Sequence, residues 1–126
     1  MLFVCYPKCT TCKKALKWLH ENGIQVQVRN IKEEPPCAKE LAAWQKMSGL
    51  EWKRFFNTSG LLYKELQLKD KLPEMTGKEQ LSLLATDGML VKRPILVTQD
   101  KVYVGFKEKE WQTLLKGRQE DEVGKI

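Results

Sequence analysis

Leu2-Phe3-Val4-Cys5 is an unbroken apolar run, the pattern of a strand covered on both faces, and Tyr6-Pro7-Lys8 turns the chain after it. From Thr10 the period changes. Cys12, Ala15, Leu16 and Leu19 recur at helical spacing with Lys13, Lys14 and Lys17 between them, and Asn22-Gly23 supplies a stop. Residues 24–31 then alternate apolar and polar with period two, which predicts a half-buried strand. The chain therefore opens as a β-α-β unit.

The middle is read as helical. Pro35-Pro36 starts a helix through Leu41, Trp44 and Met47, ended by Ser48-Gly49. Shorter pieces follow over 52–56, 61–66 and 78–85, broken at Ser59-Gly60, Pro73 and Gly77. After Asp87-Gly88, residues 94–98 and 102–104 flank Gln99-Asp100-Lys101 as a β-hairpin with a tight turn. Residues 107–115 form a closing helix, with Phe106, Trp111, Leu114 and Leu115 as its apolar positions. One domain is expected over residues 1–117, with a helical insertion at about 36–90 and a polar tail over 118–126. The fold class is α/β: a mixed four-stranded sheet, thioredoxin-like, with the insertion between a β-α-β and a β-β-α half.

Composition narrows the function. The chain has 126 residues, 42% hydrophobic and 30% charged, enough for one core without disulfide staples. No apolar stretch has the length to span a bilayer, and no secretory signal precedes the first strand, so a cytoplasmic, monomeric protein without membrane contact is expected. The net charge of +6 is spread among interleaved Lys, Glu and Asp, and no aromatic-basic motif argues for direct nucleic-acid binding. Four cysteines in a chain of this kind read as reduced, reactive or metal-bound thiols.

Cys9-Thr10-Thr11-Cys12 is the chemical motif, because two thiols at this spacing stand where a strand hands over to a helix. Cys9 falls at the helix N-terminus, where unpaired N–H groups and the dipole favour a thiolate, and Lys8 and Lys13 add positive potential. Cys12 shares the apolar face of Leu16 and Leu19. Cys9 is thus the attacking thiol and Cys12 the resolving one, with Lys8, Thr10, Thr11 and Pro94 around the substrate. Arg93-Pro94 directly precedes an apolar strand; a cis proline is possible there, and Arg93 is placed to hold an anion or the Cys9 thiolate. A zinc site drawing on Cys5, Cys9 and Cys12 with Cys37 or His20 is the competing reading, but it lacks a second ligand pair at recognisable spacing. Two incidental cysteines at a helix start would carry no chemistry at all. Cys37 is read as a residue of the next helix's first turn, an ordinary surface or half-buried cysteine in preference to a reactive third thiol.

As a set, Tyr6 to Ala15, Asn57-Thr58-Ser59-Gly60-Leu61 to Leu66, Asp87 to Ile95 and Val104-Gly105-Phe106 resemble the arsenate reductase ArsC and Spx family of thioredoxin-like proteins. The resemblance covers nearly the whole chain and is strongest to its small bacterial, arsenate-reductase-like branch. It implies that Cys9 is the nucleophile, that Arg93-Pro94 is the family's arginine and cis-proline, and that glutathione or a thioredoxin-type protein supplies electrons, with no bound cofactor. Two further family arginines are matched here by Asn57 and Phe106, with Arg54 nearby in sequence. That departure moves the expected target from an oxyanion such as arsenate toward a thiol or disulfide. Cys12 agrees with the Spx branch, for which the resemblance implies a redox-switched transcription regulator binding the C-terminal domain of the RNA polymerase alpha subunit. Gly49 aligns with a glycine of that interface, but the preferred reading of it is a plain helix C-cap after Ser48.

Overall fold

The computed structural model describes residues 1–114. Four strands, β1 (Leu2–Cys5), β2 (Gln27–Asn30), β3 (Ile95–Val97) and β4 (Val102–Val104), form one sheet in the order β2-β1-β3-β4. β1 runs parallel to β2 and antiparallel to β3, and β3 runs antiparallel to β4. This is the mixed four-stranded sheet expected from the sequence. β1 lies inside it, which is why its residues are apolar without interruption: Phe3 and Val4 are both fully buried.

The strands alternate between two cores. Phe3, Cys5, Leu96 and Tyr103 face the layer made by α1 (Thr10–Glu21) and the closing helix, while Val4, Ile95, Val102 and Val104 face the insertion. The first core is aromatic. Trp111 is fully buried and meets Phe3 edge-on at 6.4 Å, Trp18 at 6.0 Å and Phe106 at 4.9 Å between ring centroids. Trp111 thereby pins helical residues 108–114 onto the sheet. Leu115 and the polar tail lie outside the described residues.

The insertion holds α2 (Ala38–Ser48), α3 (Leu61–Glu65), α4 (Leu68–Lys71) and α5 (Gly77–Leu84), joined by short 3-10 turns. Several boundaries differ from expectation. α2 begins two residues after the prolines, because Glu40 reaches back to accept the Cys37 N–H at 3.2 Å and makes Cys37 the N-cap rather than a first-turn residue. Gly77 opens α5 instead of breaking it: Thr76 Oγ1 accepts the Glu79 N–H at 3.2 Å, and Glu79 accepts the Thr76 N–H at 3.1 Å. α4 was not anticipated, since only Leu68 and Leu72 mark a buried stripe in its charged run. The strand expected over 24–31 keeps ladder pairing only at Gln27–Asn30, on the sheet edge, where Val28 is 52% exposed.

Two glycines shape the insertion. Gly49 closes α2 with φ of 69°, a left-handed C-cap. Gly88 lies so close to the end of β2 that a Cβ there would stand 2.2 Å from the Ile31 carbonyl oxygen. Inside the insertion, the stretch after α2 pairs with the segment that leads back to β3, through a Phe56–Val91 bridge and the Lys92 N–H donating to Phe55 O at 2.7 Å. Arg54 and Asn57 are consequently brought beside Arg93. Among the described residues no helix is long and apolar enough to cross a membrane.

Candidate active site

Cys9 is the N-cap of α1. Its own N–H donates to Tyr6 O at 2.9 Å, so the turn after β1 is closed before the helix starts, and its carbonyl accepts the Lys13 N–H at 3.1 Å. Cys12 lies one helical turn further on and points into the aromatic core, 2% exposed, with its Sγ accepting the Tyr6 N–H at 3.4 Å. All four cysteines are free thiols.

The two thiols are electrostatically unlike. Burial pushes the Cys9 thiol up, but hydrogen bonds from the Cys12 backbone and thiol, together with the hydrogen bond and positive charge of Arg93, outweigh it, and the net direction is down. Cys12 is pushed up to about 12, first by burial and then by the neighbouring Cys9 and Cys5 sulfurs, against the Tyr6 N–H that favours its thiolate. Burial and Cys9 also raise Cys5. Of the three sulfurs Cys9 is therefore the most readily ionised.

Cys9 opens on a cleft of about 520 Å³. Arg93 stands in its wall, with the guanidinium carbon 5.0 Å from the Tyr6 ring centroid and with buried Nε and Nη1 atoms that have no hydrogen-bond partner. The Arg93-Pro94 peptide is cis, and Pro94 O accepts the Gly105 N–H at 2.8 Å, which draws the end of β4 to the cleft. Asn57, Thr58, Ser59 and Gly60 also line the cleft.

The residues singled out from sequence separate here. Cys9, Thr11 and Arg93 line the cleft; Lys8 and Thr10 are exposed outside its lining, Pro94 is buried behind Arg93, and Cys12 lies beneath Cys9. Cys37 is exposed at the start of α2, and His20 is exposed near the end of α1. Among the described residues no group of three or more His, Cys, Asp or Glu comes together to hold a metal ion. Asn57 and Phe106, matched to family arginines, both line the cleft, but so does Arg54. With Lys92 and Lys107 also in the wall, the cleft carries four cations and no carboxylate among the described residues. Sequence reasoning missed Lys92 and Lys107, and nothing along the chain fixed the direction of Arg54; the signal lay in the pairing of residues 55–57 with 90–92, which is tertiary.

A thioredoxin-like fold with C-x-x-C at its first helix and a cis-proline across from it defines the class. Residues 5–114 match the model of the ArsC family. The chain belongs to that family. It is 53% identical to the Bacillus subtilis (strain 168) protein YusI over 112 residues, covering 89% of this chain and 95% of that one. It is 32% identical to the global transcriptional regulator Spx of Enterococcus faecalis, covering 86% and 81% of the two chains. The crystal structure of an ArsC family related protein from Bacteroides fragilis superposes with a TM-score of 0.88 at 57% identity, covering 90% of this chain and 95% of that one.

Proposed function

We propose that the protein is a thiol-disulfide oxidoreductase in which Cys9 attacks and Cys12 resolves. One observation carries the reading: Cys9 is the sulfur open to a basic cleft, and Cys12 is the buried sulfur one helical turn behind it. The Cys9 thiolate attacks a substrate disulfide, forming a Cys9–substrate S–S bond while the substrate's own S–S bond breaks and the departing thiolate takes a proton. Cys12 then gives up its proton and attacks Cys9 Sγ, closing a Cys9–Cys12 disulfide and releasing the second substrate thiol. The substrate gains two electrons and the protein loses two; glutathione or a thioredoxin-type dithiol protein restores the pair. Burial is the largest barrier to ionising Cys12, but the part due to the Cys9 thiolate vanishes once Cys9 is bonded to substrate. Arg93 favours the Cys9 thiolate, and Thr11 meets the substrate at the cleft mouth.

Replacing Cys9 by Ser should abolish reduction of a mixed-disulfide substrate, and replacing Cys12 by Ser should accumulate protein carrying the substrate's mass through a disulfide. Unchanged turnover in the Cys9 variant sinks the proposal. Arsenate is the narrower substrate; Arg54 beside Arg93 in the cleft favours testing it directly, and purified protein without arsenate turnover removes it.

The likeness to Spx supports a second reading, a redox-switched regulator that makes protein contact with the C-terminal domain of the RNA polymerase alpha subunit. Capture of that domain by the reduced or the oxidised protein decides it, and no binding in either state ends it.

A further inference from the structure

A second cleft, of about 260 Å³, lies along β4 and shares Leu50, Arg54, Val104 and Lys107 with the cleft of Cys9. The two adjoin along these residues, with Cys9 lining the first and Lys101, at the hairpin turn, lining the second, and together they are treated as one groove. Two features of this groove are unused by the chemistry above.

The first is a strand edge that no strand covers among the described residues: Val102 and Val104 are only 5% and 9% exposed, but both line the second cleft. Among the described residues β4 ends the sheet, with β3 on one side and no strand on the other. The Thr98 N–H donates to Lys101 O at 2.8 Å and the Gly105 N–H to Pro94 O at 2.8 Å. In the antiparallel register that pairs Leu96 with Tyr103, hydrogen-bonded pairs alternate, so Tyr103 bonds to β3 while the N–H and C=O groups of Val102 and Val104 face outward. Among the described residues they have no partner. The second is charge: among the described residues Arg54, Lys92, Arg93, Lys101 and Lys107 line the joined groove, against the single carboxylate of Glu110. None of the five cations makes an ion pair among the described residues.

We infer that the disulfide substrate is a polypeptide: an extended, acidic segment that adds to the β4 edge through Val102 and Val104 and thereby delivers its oxidised cysteine to Cys9. Strand addition supplies sequence-independent main-chain bonds, and the cationic wall supplies selectivity for acidic side chains. The inference rests on the thiol-disulfide reading of Cys9, and its chemistry is the two-step exchange given above, with a dithiol protein or low-mass thiol as reductant.

The test uses three probes: a peptide with Glu and Asp flanking a cysteine held in a disulfide, the same peptide with Gln and Asn in their place, and a small uncharged dialkyl disulfide. The acidic peptide should be reduced with a kcat/KM about tenfold above its neutral counterpart at low ionic strength. That preference should shrink in high salt. In Lys101→Glu, a change at an exposed turn residue, the preference should fall at least about threefold. In Cys12→Ala protein trapped with the acidic peptide, the Val102 and Val104 amides should gain protection from hydrogen exchange. Equal rates for the two peptides, or trapping without protection of those amides, overturns the groove while leaving disulfide reduction standing. Failure to reduce any of the three probes, the small disulfide included, overturns the oxidoreductase reading and this inference with it.

Discussion

Alkylation of the reduced protein at about pH 7.5 should mark Cys9 far faster than Cys12, although the two sit one helical turn apart. Cys12, pushed up to about 12, holds only ~3 × 10⁻⁵ of its population as thiolate at that pH, whereas Cys9, below the ordinary value of 9.0, holds at least ~3 × 10⁻². The ratio of reactive species is therefore about a thousand or more. Part of it is returned, because a more basic thiolate is the better nucleophile; a Brønsted slope of about 0.4–0.5 over this interval gives back roughly 20–30-fold. A preference of roughly 30-fold or more remains before access is considered, and access points the same way, since Cys12 is 2% exposed. The assay is timed reaction with iodoacetamide, quantified cysteine by cysteine by peptide mass spectrometry, which also separates exposed Cys37 from the pair. Rates for Cys9 and Cys12 within threefold of each other would refute the division of roles. So would a Cys12 rate in wild type that is already as fast as in a Cys9→Ser variant with its neighbouring sulfur removed, since that thiolate is one of the causes holding Cys12 high.

Replacing Arg93 by Met should move the Cys9 alkylation profile to higher pH, because the hydrogen bond and charge that favour its thiolate are lost; an unmoved profile refutes that coupling. Glu40, bound by Arg29 at 2.6 and 2.8 Å, is lowered from 4.5 to about 2, chiefly by those hydrogen bonds. Unscreened, that shift corresponds to about 3 kcal/mol, and with Glu40 34% exposed roughly 1–2 kcal/mol is expected. A carboxylate with a depressed value stabilises fully above about pH 4.5 and loses its contribution as pH falls through about 2, so Glu40→Gln should cost stability near neutrality and progressively less in acid, measured by urea unfolding across pH. Trp111→Ala should cost about 3–5 kcal/mol, and Trp111→Phe clearly less, because the buried indole N–H has no hydrogen-bond partner to lose.

The sheet and the first helix were legible because local pattern and tertiary role agree in them. β1 is apolar throughout because it is covered on both faces, and α1 carries Cys12, Ala15 and Leu19 on one stripe because one face is buried. The hairpin was legible for the same reason, its turn held by Thr98 Oγ1 accepting the Lys101 N–H at 2.9 Å. The insertion was harder, since its pieces are short and their ends depend on caps: Gln67 enters α4 with φ of 54°, and no glycine or asparagine marks that left-handed position. Thr76-Gly77-Lys78-Glu79 did carry a capping signal that a breaking glycine obscured. The thiols could be found from spacing. The cationic wall facing them could not, because Arg54, Lys92 and Lys107 are distributed over half the chain and converge only when residues 55–57 pair with 90–92 and β4 closes on Pro94.

Phe106 explains how the site departs from an oxyanion pocket without losing its charge. Where the family resemblance places an arginine, this ring lines the cleft and also packs on Trp111 at 4.9 Å and Trp18 at 6.3 Å. It thus belongs to the core that buries Cys12 as well as to the wall that faces Cys9. An arginine here would withdraw a ring from that cluster and add a second directed charge near the sulfur; phenylalanine does the reverse, keeping its own side of the thiols apolar while Arg54, Lys92, Arg93 and Lys107 set positive charge around the cleft. Small tetrahedral oxyanions need several donors converging on one point, whereas a chain of carboxylates laid along a groove needs charges spread over its length. Phe106→Arg is accordingly the substitution that separates the two designs. It should loosen the aromatic core and so lower stability, and it should raise affinity for a small oxyanion, read as phosphate or arsenate inhibition of Cys9 alkylation. A variant in which neither anion slows alkylation more than in wild type would show that the ring at position 106 is not what sets the cleft apart.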